Sequence, residues 1–169
     1  MAEKVRSEAE ILSAFMSTAG GDVFKLIRDL GIELVKDPDL DGKSGQIEYD
    51  GKRYIISVNA WENPRRQKFT AAHEVAHYVL HRDLLRREGH LNRHTDTLFG
   101  APSDNVTEPF SPSHEVQANK YAARLLMPAQ LVRAKYNSET DNVRELADAF
   151  GVSLQAMKIR LANLSLRAL

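Results

Sequence analysis

One stretch, FTAAHEVAHYVLH at residues 69–81, limits the fold of this chain more than any other. It follows Pro64, and its apolar spacing predicts a helix running to about Arg82. On a helix turning roughly 100° per residue, Phe69, Ala72, Ala76, Val79 and Leu80 share one apolar stripe. His73 and His77 fall on the adjoining sector, with Glu74 just beyond them. Such a helix is expected to bury one edge and to hold two imidazoles at the margin of the core. Whatever faces those imidazoles has to come from another part of the chain.

Residues four apart stack on one helix face, so both imidazoles can reach a single tetrahedral ion at roughly 2.0–2.1 Å. Glu74 points to the side, badly placed as a third ligand but close enough to take a proton from water at the ion. That is the mechanical content of the HExxH pattern. A hydrolytic zinc site needs one further protein ligand and one open position. His81 lies eight residues beyond His73, roughly 12 Å along an unbroken helix at 1.5 Å per residue. It therefore reads as a supporting or surface residue. His90 and His94 are also four apart, but they flank LNR in a segment with no apolar periodicity. Glu115 is the better candidate. Ala118, Ala122, Leu125 and Leu126 share its helix face, and the alanines allow close approach to the first helix. Asn119, one turn on, can steady a ligand imidazole from behind.

The rest of the chain reads as an α+β protein of one ordinary domain size, at 169 residues. Helices are expected from Ser7 to the Gly20–Gly21 stop, and from Asp22 to Gly31. IELVKD suggests a short strand. GQIEYDGKRYIISVN suggests two strands around an Asp50–Gly51 type I′ turn, a short antiparallel hairpin before the HExxH helix. Residues 83–112 read as a long loop, with a short helix near Leu84 and Leu85. Ser113 and Pro128 bound the Glu115 helix, and two more helices join at Gly151, the second capped by Ser153. The expected division is a core over residues 1–136 and a helical segment over 137–169, packed on that core.

Lys+Arg equals Asp+Glu, so no global field draws the chain toward nucleic acid or an anionic membrane. The absence of cysteine excludes disulfides, thiolate ligands and a cysteine nucleophile. The opening MAEKVRSEAE lacks the apolar centre of a signal peptide, and no apolar run approaches membrane-spanning length. A cytoplasmic enzyme or binding module is the expectation.

Three blocks in order, FTAAHEVAHYVLH, EVQANKYAARLLMP and LADAFGVSLQAMKIRL, resemble the ImmA/IrrE family of HExxH zinc metallopeptidases over roughly residues 45–165. The resemblance implies a small zincin-like core in the bacterial cytoplasm. His73, His77 and Glu115 would bind Zn²⁺, and Glu74 would be the general acid/base. The implied substrates are helix-turn-helix repressors, whose cleavage relieves repression of mobile-element or stress-response genes. Gln117 departs from the family pattern, where a second glutamate is common. For transition-state stabilisation, Tyr78, His81, His90 and His94 all stay open, whereas Tyr121 takes an apolar family position suited to packing.

VRELADAFGVSLQAMKIRL also has the spacing of a helix-turn-helix, with Gln155, Lys158 and Arg160 placed to face a groove. Neutral net charge disfavours DNA contact. A third class is an interaction module, such as one half of a toxin–antitoxin pair, with a structural or vestigial metal site. The intact Glu74 argues against it, since holding a metal does not need that carboxylate.

Overall fold

The computed structural model describes residues 2, 4–88, 91–94 and 110–167. Two short helices open the chain, α1 (Glu8–Phe15) and α2 (Val23–Asp29). Ser7 and Glu10 form a capping box on α1, and Asp22 accepts from the backbone N–H groups of Phe24 and Lys25 on α2. α1 ends at Met16, ahead of the glycine pair expected to stop it.

Three strands follow, β1 (Glu33–Asp37), β2 (Gly45–Tyr49) and β3 (Tyr54–Asn59), and a fourth, β4 (Leu91–His94), joins later. Their order is β1-β3-β2-β4. The α+β class holds, but the sheet is mixed rather than antiparallel. β2 pairs antiparallel with β3 and β4, while β1 runs parallel to β3. The hairpin strand β3 returns between β1 and β2, a choice that local sequence pattern does not encode.

The hairpin turn also differs from the type I′ expectation. Asp50 N–H donates to the Arg53 carbonyl, so Gly51 and Lys52 are the central pair. Among them only Gly51 has positive φ, at 94°, as a type II′ turn requires. The Asp50 carboxylate accepts from the Lys52 and Arg53 backbone N–H groups and holds the turn closed.

α3 (Pro64–Leu80) carries the HExxH pattern, capped by the Asn63 side chain with proline in its first turn. It lies against β2 and β3, against α2, and most extensively against α5 (Pro112–Leu126). Every residue from Phe69 to Tyr78 is buried. The expected edge-buried helix is thus buried all round, because partners cover both the apolar stripe and the histidine sector. Leu80, assigned to the stripe, is 43% exposed at the helix end.

α4 (Arg82–Glu88) and β4 occupy part of the segment expected to be a loop; residues 89–90 and 95–109 lie outside the described residues. The cap of α5 is Ser111, not Ser113, with Pro112 opening the helix. α6 (Ala129–Ser138), absent from the sequence reading, follows Pro128.

α7 (Val143–Phe150) and α8 (Leu154–Asn163) meet at Gly151, whose φ of 66° closes α7. Two basic residues one turn apart on α3 hold that end. Arg65 donates to the Val152 carbonyl and to Asp148, and Lys68 donates to the Phe150 carbonyl. Cations at the last carbonyls of a helix are favoured by its dipole. Leu146, Phe150, Met157 and Leu161 belong to the same hydrophobic cluster as Val75 and Leu125.

Candidate metal centre

Ala72 and Ala76 on α3 and Ala118 and Ala122 on α5 are all fully buried. These short side chains let the two helices approach, as the alanine pattern suggested. The approach brings His73, His77 and Glu115 together, with one ligand atom from each lying within 4.8 Å of the others. His73 Nε2 is 2.9 Å from Glu115 Oε2, and His77 Nε2 is 3.2 Å from Oε1. The two Nε2 atoms are 3.1 Å apart. No side chain of the trio is more than 2% exposed.

The surrounding bonds fix what those nitrogens can do. Asn119 Oδ1 lies 2.6 Å from His73 Nδ1. An amide oxygen only accepts, so Nδ1 carries a proton, and His73 Nε2 faces Glu115 Oε2 on the other side of the ring. A second chain gives the same result for His77. Gln117 Oε1 lies 2.8 Å from His81 Nε2, which must donate. In the neutral ring His81 Nδ1 then accepts from His77 Nδ1 at 3.0 Å, and His77 Nε2 faces Glu115 Oε1. Two imidazole Nε2 atoms and a carboxylate therefore converge in a space sealed from solvent, close enough together to share one cation. Two imidazoles and one carboxylate match the ligand types and number of a hydrolytic zinc site, so the residues present fit the metal.

Burial pushes His77 down to about 3; its hydrogen bond to the Glu115 carboxylate opposes this shift, and the neighbouring His73 adds to it. The ring is neutral at neutral pH, the form that binds metals. The Phe110 ring stacks on His77 at 3.8 Å and fixes its plane.

Glu74 is fully buried, on the side of α3 under the sheet. It reaches Gly45 of β2, where a Cβ would lie 3.5 Å from Glu74 Oε1 and 2.4 Å from the Thr70 methyl. A bare backbone at Gly45 is what leaves room for the Thr70 methyl beside Glu74, while the Glu74 carboxylate itself would be in ordinary contact.

The other residues singled out from sequence lie elsewhere. His81 is buried and props His77 through its ring, as just described. Tyr78 packs edge-on to Tyr54 at 5.0 Å under the Arg82 guanidinium, and burial pushes its hydroxyl up. His90 and the His94 side chain lie outside the described residues. Sequence reasoning missed Phe110 altogether. Its one signal is position, immediately before the Ser111 cap, where an apolar residue often packs back on the fold. Gln117 stood out only as a departure, whereas it orients His81.

Asn119→Ala should lower metal affinity about 10–100-fold, the usual cost of losing such a partner. Competition with a chelating indicator would measure it; unchanged affinity would mean Asn119 does not set the His73 tautomer.

Comparison with known proteins places these features in context. Residues 27–162 match the model of the IrrE N-terminal-like domain, a peptidase family. A radiation response metalloprotease IrrE from Deinococcus deserti is 34% identical over 84 residues, covering 50% of this chain. That stretch is only 26% of the relative, so the alignment spans about a quarter of its length. A Mycobacterium tuberculosis transcriptional regulator superposes with a TM-score of 0.58 at 22% identity, covering 92% of this chain and 46% of that one. This second likeness is one of fold.

Proposed function

Because the chain belongs to the IrrE N-terminal-like domain family of peptidases, we propose that it is a zinc-dependent endopeptidase acting on a helix-turn-helix repressor. The observation that carries the reading is the convergence of the His73 and His77 Nε2 atoms with the Glu115 carboxylate, all buried. His73, His77 and Glu115 would hold the metal. When bound, zinc supplies Lewis acidity, which makes water a better nucleophile and a peptide carbonyl a better electrophile.

The remaining steps belong to the protein's own groups. Glu74 takes a proton from the attacking water as the carbon–oxygen bond forms. It returns that proton to the amide nitrogen as the carbon–nitrogen bond breaks, and the second proton of the water passes to the freed amine, giving one new carboxylate and one new ammonium group. Asn119, and His81 with Gln117 behind it, keep both imidazole protons on the far nitrogens throughout. The working compartment is the cytoplasm, and no helix among the described residues is long and apolar enough to cross a membrane. Residues 1–136 form the catalytic core in this reading, and residues 137–169 a helix-turn-helix-like segment packed on it.

DNA binding by that segment loses one of its three expected contacts. Gln155 and Lys158 are exposed, but Arg160 is buried and donates to the Met127 carbonyl at 2.9 Å. Co-expression with a repressor encoded beside this gene tests the proposal. Metal-dependent appearance of two repressor fragments is expected. An intact repressor in zinc-replete cells would count against that substrate class.

A further inference from the structure

The cleft between α3, α5 and α8 is a second place where chemistry is unspent. It has a volume of about 250 Å³. Phe69, Ala123, Met127 and Ile159 give it apolar walls, while Lys120 and Arg160 bring two cations to it. Asn119 also lines it, the same residue that holds His73.

Arg160 is the unusual member. It is 9% exposed, and among the described residues its one hydrogen bond is from Nε to the Met127 carbonyl. A guanidinium carries five N–H donors, so most of them are left over. No carboxylate pairs with it among the described residues. Burial pushes its pKa down, and the charges of Arg124 and Arg133 push the same way. A buried cation is normally paired, since leaving it unpaired is costly. Here the neighbouring charges are of its own sign, its remaining N–H groups are not sealed from solvent, and the residue lines the cleft.

We propose that this cleft binds a small organic anion, its carboxylate on Arg160 and its apolar body against Phe69, Ala123, Met127 and Ile159. Size and charge choose this occupant. An apolar cavity of ~150 Å³ takes a benzene ring, so the cleft has room for a ring with a short acidic arm. A bare inorganic anion would leave the apolar walls uncovered, and a neutral ligand would leave the guanidinium unmatched. The site shares Asn119 with the metal centre, and binding there does not depend on peptidase activity.

Calorimetric titration of the full chain with 3-phenylpropionate tests this, with 3-phenylpropanamide and inorganic phosphate run beside it. The acid should bind, and the amide and the phosphate should each bind at least about tenfold more weakly, the worth of one charge-assisted contact or of the apolar walls. Ala123→Leu fills the cleft without touching a polar group, and it should abolish binding while leaving the circular dichroism spectrum unchanged. Arg160→Met should erase the preference for acid over amide. If Arg160→Met fails to fold, Ala123→Leu still decides. Equal binding of acid and amide, phosphate binding as tightly as the acid, undiminished binding to Ala123→Leu, or no binding of the acid would each overturn the proposal.

Discussion

Glu74→Gln should keep its zinc and lose about 10²–10⁴-fold in cleavage rate, the usual contribution of a positioned general base. The substitution changes one oxygen for an amide nitrogen and keeps the size and shape of the buried side chain. The three ligand side chains are untouched, so metal content should stay near one ion per chain by elemental analysis. What disappears is the group that takes and returns the proton in the proposed mechanism. A variant that cleaves a co-expressed repressor at the native rate would remove Glu74 from the mechanism. A variant that loses both metal and activity would instead make Glu74 part of the binding site.

Glu115→Ala has the opposite signature. It should lower zinc affinity by more than about 100-fold, beyond what an outer partner costs, and activity should fall with it. The two Nε2 atoms would remain 3.1 Å apart on a single helix, but two imidazoles alone neither complete the donor set nor balance the charge of the ion. Glu115→Gln is the informative companion. It keeps the shape and one carbonyl oxygen while removing the negative charge, so its affinity should fall between wild type and alanine. Unchanged zinc content in Glu115→Ala would transfer the third ligand to another residue, with His90 and His94 the first to test.

The centre was legible in sequence because helices translate spacing directly into geometry. Residues four apart share a face, so the histidine pair could be placed without coordinates. The alanines that share a face with Glu115 gave the α3–α5 approach by the same rule. Sheet topology was not legible in this way. The parallel β1–β3 pair depends on where a returning strand inserts, and β4 comes from a segment without periodicity. The all-round burial of α3 was hidden for a related reason, since its covering elements lie far off in sequence.

Polar partners were the hardest to anticipate. His81 is too far along the helix to be a ligand, and the distance argument placed it correctly outside the trio. Distance could not say that it hands a hydrogen bond from Gln117 to His77. Arg160 illustrates the reverse error. Its place on α8 suggested a groove-facing cation, yet the helix packs with that side chain inward against Met127.

Zinc K-edge absorption of the protein loaded with one equivalent of metal bears most directly on the convergence of α3 and α5. Two imidazole nitrogens with carboxylate and water oxygens, all near roughly 2.0–2.1 Å, are the expected first shell. A shell of three or more imidazoles, or one unchanged in Glu115→Ala, would contradict it.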